Sequence, residues 1–186
     1  MGTLPDETRT ATLEAFADTI VPGARRHPGD RAVAGASPTG GAVAAGAIEL
    51  IEWDATGISE DLTGYARSLD EHARAFAAQR GLTLDGDAPA FVALPFEERT
   101  ALVRALTAPG HPEKSLWVLL ALFCYMAYDS AAHLNTADAL AAGHPGLTAM
   151  GVTPPGPDGL WRYSAWSYGR PLARLHPHTT ASGSPA

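Results

Sequence analysis

Three side chains in the most apolar part of the chain could form a site for proton transfer or metal binding. Tyr125, Asp129 and His133 follow one another at intervals of four residues, which places them along one face of a helix. A carboxylate next to an imidazole can orient the ring and raise its pKa, so the pattern predicts Asp129 and His133 as a catalytic pair for proton transfer. The same pair can supply two ligands to a metal ion. Further ligands would come from other histidines of the sequence, namely His72, His111 and His144.

A structural role explains the same residues without chemistry. Asp129 and His133 can mark the point where the helix leaves the core and form an exposed ion pair, which is common on helices. Tyr125 fits a core residue with a polar tip. The chain has a single cysteine, Cys124, which excludes an internal disulfide and a multi-cysteine metal site and is predicted to be a small buried hydrophobe. The sequence leaves both readings of Asp129 and His133 open.

A second candidate is an aromatic segment near the C-terminus. It contains residues of the types that anchor protein interfaces: Trp161, Arg162, Tyr163, Trp166, Tyr168 and Arg170. From residue 144 onward the sequence has three arginines and one acidic residue, a net charge of +2. The rest of the chain carries −9, which gives the total of −7. The segment therefore either binds a partner or folds back to seal the protein's own core, and both can hold.

The elements that must position these residues are helices, because helical periodicity dominates and strand alternation is nearly absent. The first is an apolar stripe of Leu13, Phe16, Ala17 and Ile20, which Pro22 and Gly23 terminate. Further helices are predicted around residues 43–53, 58–80, 95–108, 116–133 and 136–142. The helix over 116–133 is hydrophobic almost all round, which predicts that it lies at the centre.

These elements predict an all-α, single-domain helical bundle with a long aromatic-rich C-terminal tail. We expect the bundle to span residues 1–143 and an irregular tail, packing on the bundle or on a partner, to span residues 144–178. Residues 179–186 have the composition of a disordered end.

Composition excludes several classes of function. A formal charge of −7 disfavours nucleic acid and anionic membranes, because binding either depends on Lys and Arg neutralising phosphate. The longest apolar run has 13 residues, fewer than the ~18 that a membrane-spanning helix needs. We find no signal peptide and no phosphate-binding, dinucleotide, zinc-protease or serine-hydrolase motif. The expectation is a cytoplasmic protein with no metal and no cofactor of its own.

The first helix and the turn after it resemble a known family. The run from Ala11 to Asp30, with Pro22-Gly23 and Pro28-Gly29-Asp30, is similar to the start of the small subunit (subunit 3) of bacterial gluconate 2-dehydrogenase complexes. The resemblance implies an all-helical protein without its own cofactor that packs against a large flavoprotein of the glucose-methanol-choline class, which holds FAD. Members often carry a twin-arginine leader, so this chain would belong to a leaderless branch.

Two functions are therefore expected. The first is a non-catalytic accessory subunit of a flavin-dependent oxidoreductase, with the aromatic segment in the contact. The alternative is a small stand-alone helical enzyme of secondary metabolism that acts on an apolar substrate by proton transfer at Asp129 and His133.

Overall fold

The computed structural model of the chain describes residues 6–159 and residue 178, and these contain helices and no strand. The prediction of an all-α protein is thus confirmed for the described residues. The α-helices are α1 (Asp6–Ile20), α2 (Ala47–Glu52), α3 (Leu62–Arg80), α4 (Ala90–Ala93), α5 (Phe96–Leu106), α6 (Lys114–Ser130), α7 (Thr136–Ala141) and α8 (Pro145–Ala149). Short 3-10 turns occupy Asp54–Thr56 and Ser59–Asp61. Contacts divide the chain into a compact unit ending at Val152 and a second unit from Thr153 onward.

Helix α1 lies at the centre of the first unit. It contacts α2, α3, α4, α5 and α6. Phe16 is fully buried, and its ring packs against Phe91 of α4 and Trp117 of α6 with centroid distances of 6.5 and 6.1 Å. Small buried residues beside it, Ala15 and Ala17, allow neighbouring helices to approach closely. The apolar stripe predicted for this helix is therefore the middle of the core.

Helix α6 was expected at the centre, and this expectation is wrong. One face of α6 is buried through Trp117, Leu120, Cys124 and Ala127, but large apolar side chains on its other face are exposed. An apolar sequence does not by itself bring neighbours to every side of a helix. Within the described part of the chain, no helix combines the length and the apolarity needed to cross a bilayer.

The long loop between α1 and α2 is held by buried polar groups. Asp18, near the end of α1, accepts hydrogen bonds from the backbone N–H groups of Gly23 (3.0 Å) and Ala34 (2.8 Å). Asp30 accepts one from the N–H of Val33 (3.1 Å) and a bond of 2.7 Å from Nε of Arg26. Burial would raise the pKa of Asp30, but the Arg26 guanidinium and the backbone N–H groups of Val33 and Arg26 together outweigh it and lower that pKa to about 2.

A buried arginine ties the same loop to the helices behind it. The guanidinium of Arg99, on α5, donates to the carbonyl oxygens of Ala32 (2.7 Å), Arg31 (2.8 Å), Leu94 (3.0 Å) and Val92 (2.6 Å). Burial lowers the pKa of Arg99 to about 10, which still leaves the side chain charged at neutral pH. We call Asp18, Asp30 and Arg99, with these partners, the loop network.

Several element ends differ from the sequence prediction. The helix predicted around residues 58–80 begins later, at Leu62, and the hydroxyl of Ser59 before it donates to Asp54 at 3.0 Å. The sequence predicts an irregular tail from residue 144 onward, yet α8 begins at Pro145. The physical reason is local: Pro145 suits the first turn of a helix, and Nδ1 of His144 accepts the N–H of Leu147 at 3.3 Å.

Helix α8 also packs against α6, which extends the first unit beyond residue 143. Gly146 makes this possible, since a β-carbon there would collide with the carbonyl oxygen of Tyr128. Leu147 joins Ala131 and Ala139 in a small second core. In the second unit the structure describes residues 153–159, which contain a turn, and residue 178. The predicted disordered end, 179–186, lies outside the described residues.

Candidate functional site

The geometry on which the Asp129–His133 pair was predicted is not present. Helix α6 ends at Ser130, and Ala131 adopts a left-handed conformation with φ 49°. His133 therefore lies beyond the helix and is not one turn further along the face that carries Asp129. Oδ1 of Asp129 and Nδ1 of His133 are both buried without a hydrogen-bond partner among the described residues, so these two atoms do not bond each other. Their proposed catalytic role stays a prediction.

A tight turn after α6 carries His133 to the start of α2. The N–H of Leu134 donates to the carbonyl oxygen of Ala131 at 2.8 Å, which reverses the chain. The imidazole then packs against Gly46, the residue before α2, which has φ 85°. A β-carbon on Gly46 would collide with Nε2 of His133, so this contact requires glycine.

The same place contains an open groove of about 500 Å³. Most of its walls are small or apolar. Among its polar atoms, Nδ1 of His133 is buried without a hydrogen-bond partner within the described residues. We refer to it as the α2–α8 groove, lined by Ala44, Ala45, Gly46, Glu49, His133, Leu134, Ala139, Ala142, Gly143, His144 and Pro145. Its volume is in the range of small-molecule sites.

The two histidines of the groove have different roles. His144 is buried, with Nε2 at 3.1 Å from the carbonyl oxygen of Ala45 and Nδ1 accepting the N–H of Leu147. Both ring nitrogens of His144 are thus engaged with backbone groups, which gives the side chain a structural role. By contrast, Nδ1 of His133 has no hydrogen-bond partner in the part of the chain that the structure describes. Burial lowers the pKa of His133, the nearby Glu49 carboxylate opposes this shift, and His144 adds to it.

Glu49 is the groove residue that sequence reasoning missed. It is an exposed acid on a short helix, and nothing in its spacing connects it with His133. Oε2 of Glu49 would lie 3.5 Å from a β-carbon on Gly46, and Nε2 of His133 lies close to that same position. The carboxylate and the imidazole thus border one small space. Only the packing of α2 against the turn after α6 brings them together.

The other histidines considered as metal ligands lie in a separate cluster at the start of α6. Nε2 of His72 lies 2.6 Å from Oε2 of Glu113, and the same oxygen accepts the indole N–H of Trp117 at 3.1 Å. The N–H of Glu113 donates to Nδ1 of His111 at 3.2 Å. The hydrogen bond from His72 is the main reason that the pKa of Glu113 is lowered. Over residues 6–159 and 178, no group of three or more His, Cys, Asp or Glu side chains is arranged to hold a metal ion.

The exposed side of α6 is the second candidate surface. Large apolar side chains on this face keep between 38% and 52% of their surface exposed. We call them the α6 stripe, formed by Val118, Leu119, Leu122 and Tyr125. On the opposite face Cys124 is buried, and burial raises the pKa of its thiol to about 12, so it is an inert core residue as predicted.

The aromatic segment predicted to bind a partner lies outside the described residues. This applies to all six residues singled out, Trp161, Arg162, Tyr163, Trp166, Tyr168 and Arg170. Their predicted role in a contact therefore stays a prediction.

The described residues thus define an all-α protein with an open groove of small residues and an exposed apolar helix face. The chain belongs to a family of unknown function, DUF5987, whose profile matches residues 7–186. The matched range includes both the helical unit and the C-terminal segment. No curated protein and no solved structure matches the chain.

Proposed function

We propose that this chain is a non-catalytic accessory subunit that binds a flavin-dependent oxidoreductase through the α6 stripe. The observation that supports the proposal is the exposure of Val118, Leu122 and Tyr125, which recur at i, i+4 and i+7 on one helix. Contiguous apolar side chains on the surface of a protein mark interaction sites more often than single ones do.

The support for the stripe is rigid, which suits a docking surface. Trp117, Leu120 and Cys124 fix the other face of α6 in the core, each with at most 1% of its surface exposed. A partner that covers the stripe would therefore meet a preformed helix face and would lose little conformational freedom in ordering it.

The nature of the partner follows from the resemblance of residues 11–30 to the gluconate 2-dehydrogenase small subunit. The FAD would belong to the large flavoprotein, and this chain would need no cofactor of its own. The segment from Trp161 to Arg170 is proposed as a second part of the contact, since its aromatic and arginine content is typical of interfaces.

The test is a pull-down of the tagged chain from its native cells, with flavin absorbance and mass spectrometry of what co-purifies. We expect a stoichiometric yellow flavoprotein of the glucose-methanol-choline class. The double variant Leu122→Gln/Tyr125→Ser should lose it without losing helicity. Met150→Gln, an equally exposed apolar position outside α6, is the matched control and should retain it. A colourless chain recovered alone, or retention by the double variant, would contradict the proposal.

A second candidate is a stand-alone enzyme that acts on an apolar substrate by proton transfer. The α2–α8 groove favours it, because His133 borders a space of about 500 Å³ with mainly apolar walls. Asp129, the other member of the predicted pair, does not line this groove. Recovery of a colourless, monomeric chain in the pull-down would favour this candidate. If the chain is such an enzyme, a folded His133→Ala variant should lose turnover.

A further inference from the structure

The α2–α8 groove is lined mainly by residues with small side chains or none, so its volume is open to a ligand. Ala44, Ala139 and Ala142 line it with methyl groups, and Gly46 and Gly143 have no side chain. A groove of about 500 Å³ between short helices suits a small molecule better than a protein segment, because sites for small molecules fall within roughly 300–1,000 Å³. The apolar walls favour a hydrocarbon body.

Two polar atoms face the same part of this groove. Nε2 of His133 and Oε2 of Glu49 both border the position of the missing β-carbon of Gly46. Their separation cannot exceed the sum of their distances to that position, yet no hydrogen bond joins them among the described residues. The two atoms are thus near enough for one ligand group in the groove to contact both.

The chemistry of the two atoms specifies the ligand group. A carboxylate accepts hydrogen bonds and does not donate them, and a neutral imidazole accepts at its unprotonated nitrogen. Burial lowers the pKa of His133, which keeps this ring neutral at neutral pH. Two acceptors that face one space are best served by a group with several donors and a positive charge, and a primary ammonium has three N–H donors.

We propose that the α2–α8 groove binds a small molecule with a hydrocarbon body and a primary ammonium group. The ammonium donates to Oε2 of Glu49 and to Nε2 of His133, and the hydrocarbon lies along Ala44, Ala139 and Ala142. This site is separate from the α6 stripe. It is tested on the isolated chain, so loss of the flavoprotein contact and loss of amine binding are distinguishable results.

The experiment is a titration of the full-length, ¹⁵N-labelled chain with n-hexylamine, followed through the imidazole resonances of His133. n-Hexanol and n-hexanoate are the matched probes, with the same hydrocarbon and a neutral or negative head. The expected result is a saturable shift of the His133 signals with hexylamine, at least tenfold weaker or undetectable binding of hexanol, and none of hexanoate. Absence of a saturable shift with hexylamine, or equal binding of hexanoate, would overturn the proposal.

A substitution locates the site. Glu49→Gln keeps the size of the side chain and removes the charge, and should weaken hexylamine binding at least tenfold while leaving the backbone amide spectrum unchanged elsewhere. Glu71→Gln, at an exposed position of α3 that does not line the groove, is the control and should bind as the wild type does. Undiminished binding by Glu49→Gln would show that the amine binds elsewhere.

Discussion

The loop network and the α2–α8 groove both contain polar side chains, but the two regions differ in how completely these side chains are hydrogen-bonded within the protein. In the loop network both carboxylate oxygens of Asp18 accept a backbone N–H, and Arg99 donates to four carbonyl oxygens. In the groove, Nδ1 of His133 is buried without a hydrogen-bond partner among the described residues, and the Glu49 side chain is exposed. Oδ1 of Asp129 is unpartnered as well.

The difference indicates which region maintains the fold and which is available for binding. A buried polar group that is fully bonded stabilises one backbone arrangement, because losing its partner leaves other groups unsatisfied. A buried polar group without a partner opposes folding instead, and its bonding capacity remains for a ligand. Substitutions in the loop network should therefore affect stability, and substitutions in the groove should affect binding.

The largest expected effect is that of Arg99→Met. Four carbonyl oxygens would lose their donor, and each buried unsatisfied group costs about 1–3 kcal/mol. We expect the free energy of unfolding to fall by at least about 3 kcal/mol, measured by urea denaturation. Arg104→Met, an exposed position of the same helix, is the control and should stay within about 0.5 kcal/mol of the wild type. A loss below about 1 kcal/mol would mean that the network does not hold the loop.

Asp18→Ala should have the next largest effect. It leaves the N–H groups of Gly23 and Ala34 without acceptors at the end of α1, and we expect a loss of about 2–4 kcal/mol. Asp18→Asn retains one acceptor oxygen and should lose about half as much. Both are read from denaturation midpoints, with Glu7→Ala at an exposed position of α1 as the reference. Equal stability of the alanine variant and the reference would show that the hydrogen bonds of Asp18 do not stabilise the fold.

A smaller effect is expected from the titration of His133. Burial lowers the pKa of this ring in the folded state, with Glu49 opposing and His144 adding to the shift. Because the unfolded state then binds the proton more readily, this contribution to stability is complete above the unfolded pKa of about 6.5 and is lost as the pH falls through the folded value. The ring is partly exposed, so solvent screening limits the loss to a few tenths of a kcal/mol.

The measurement compares wild type and His133→Gln in urea at about pH 7.5 and at about pH 5. The wild type should lose slightly more stability than the variant between the two values. An equal or larger loss in the variant would contradict the assigned direction of the pKa shift.

The smallest effect on stability is expected for Glu49→Gln. The side chain is exposed and makes no hydrogen bond or ion pair within the described part of the chain, so the free energy of unfolding should change by less than about 0.5 kcal/mol. Thermal and urea unfolding check this directly. A loss above about 1 kcal/mol would give Glu49 a structural role and end the contrast between the two regions.

The sequence predicted local features, such as the ends of helices, better than it predicted which residues contact one another in the folded protein. The helix ends at Gly81 and before Pro22 were predicted correctly, because glycine and proline act through the backbone of their own segment. The buried, inert Cys124 was also predicted correctly. The Asp129–His133 geometry failed, since the left-handed Ala131 ends α6 before His133, and alanine carries no strong signal for that conformation.

The sequence alone predicts that this protein is helical and that its helices have apolar stripes, which neighbouring helices must cover. This prediction is possible because the 3.6-residue period is a property of each segment alone. Which helix lies at the centre of the core depends on the tertiary structure. Helix α1, with its small Ala15 and Ala17, became the centre, and the more apolar α6 kept an exposed face. The tertiary structure also decided that Glu49 and His133, remote in sequence, share one groove. Such contacts depend on how helices pack, and packing depends on the shapes of all neighbours together.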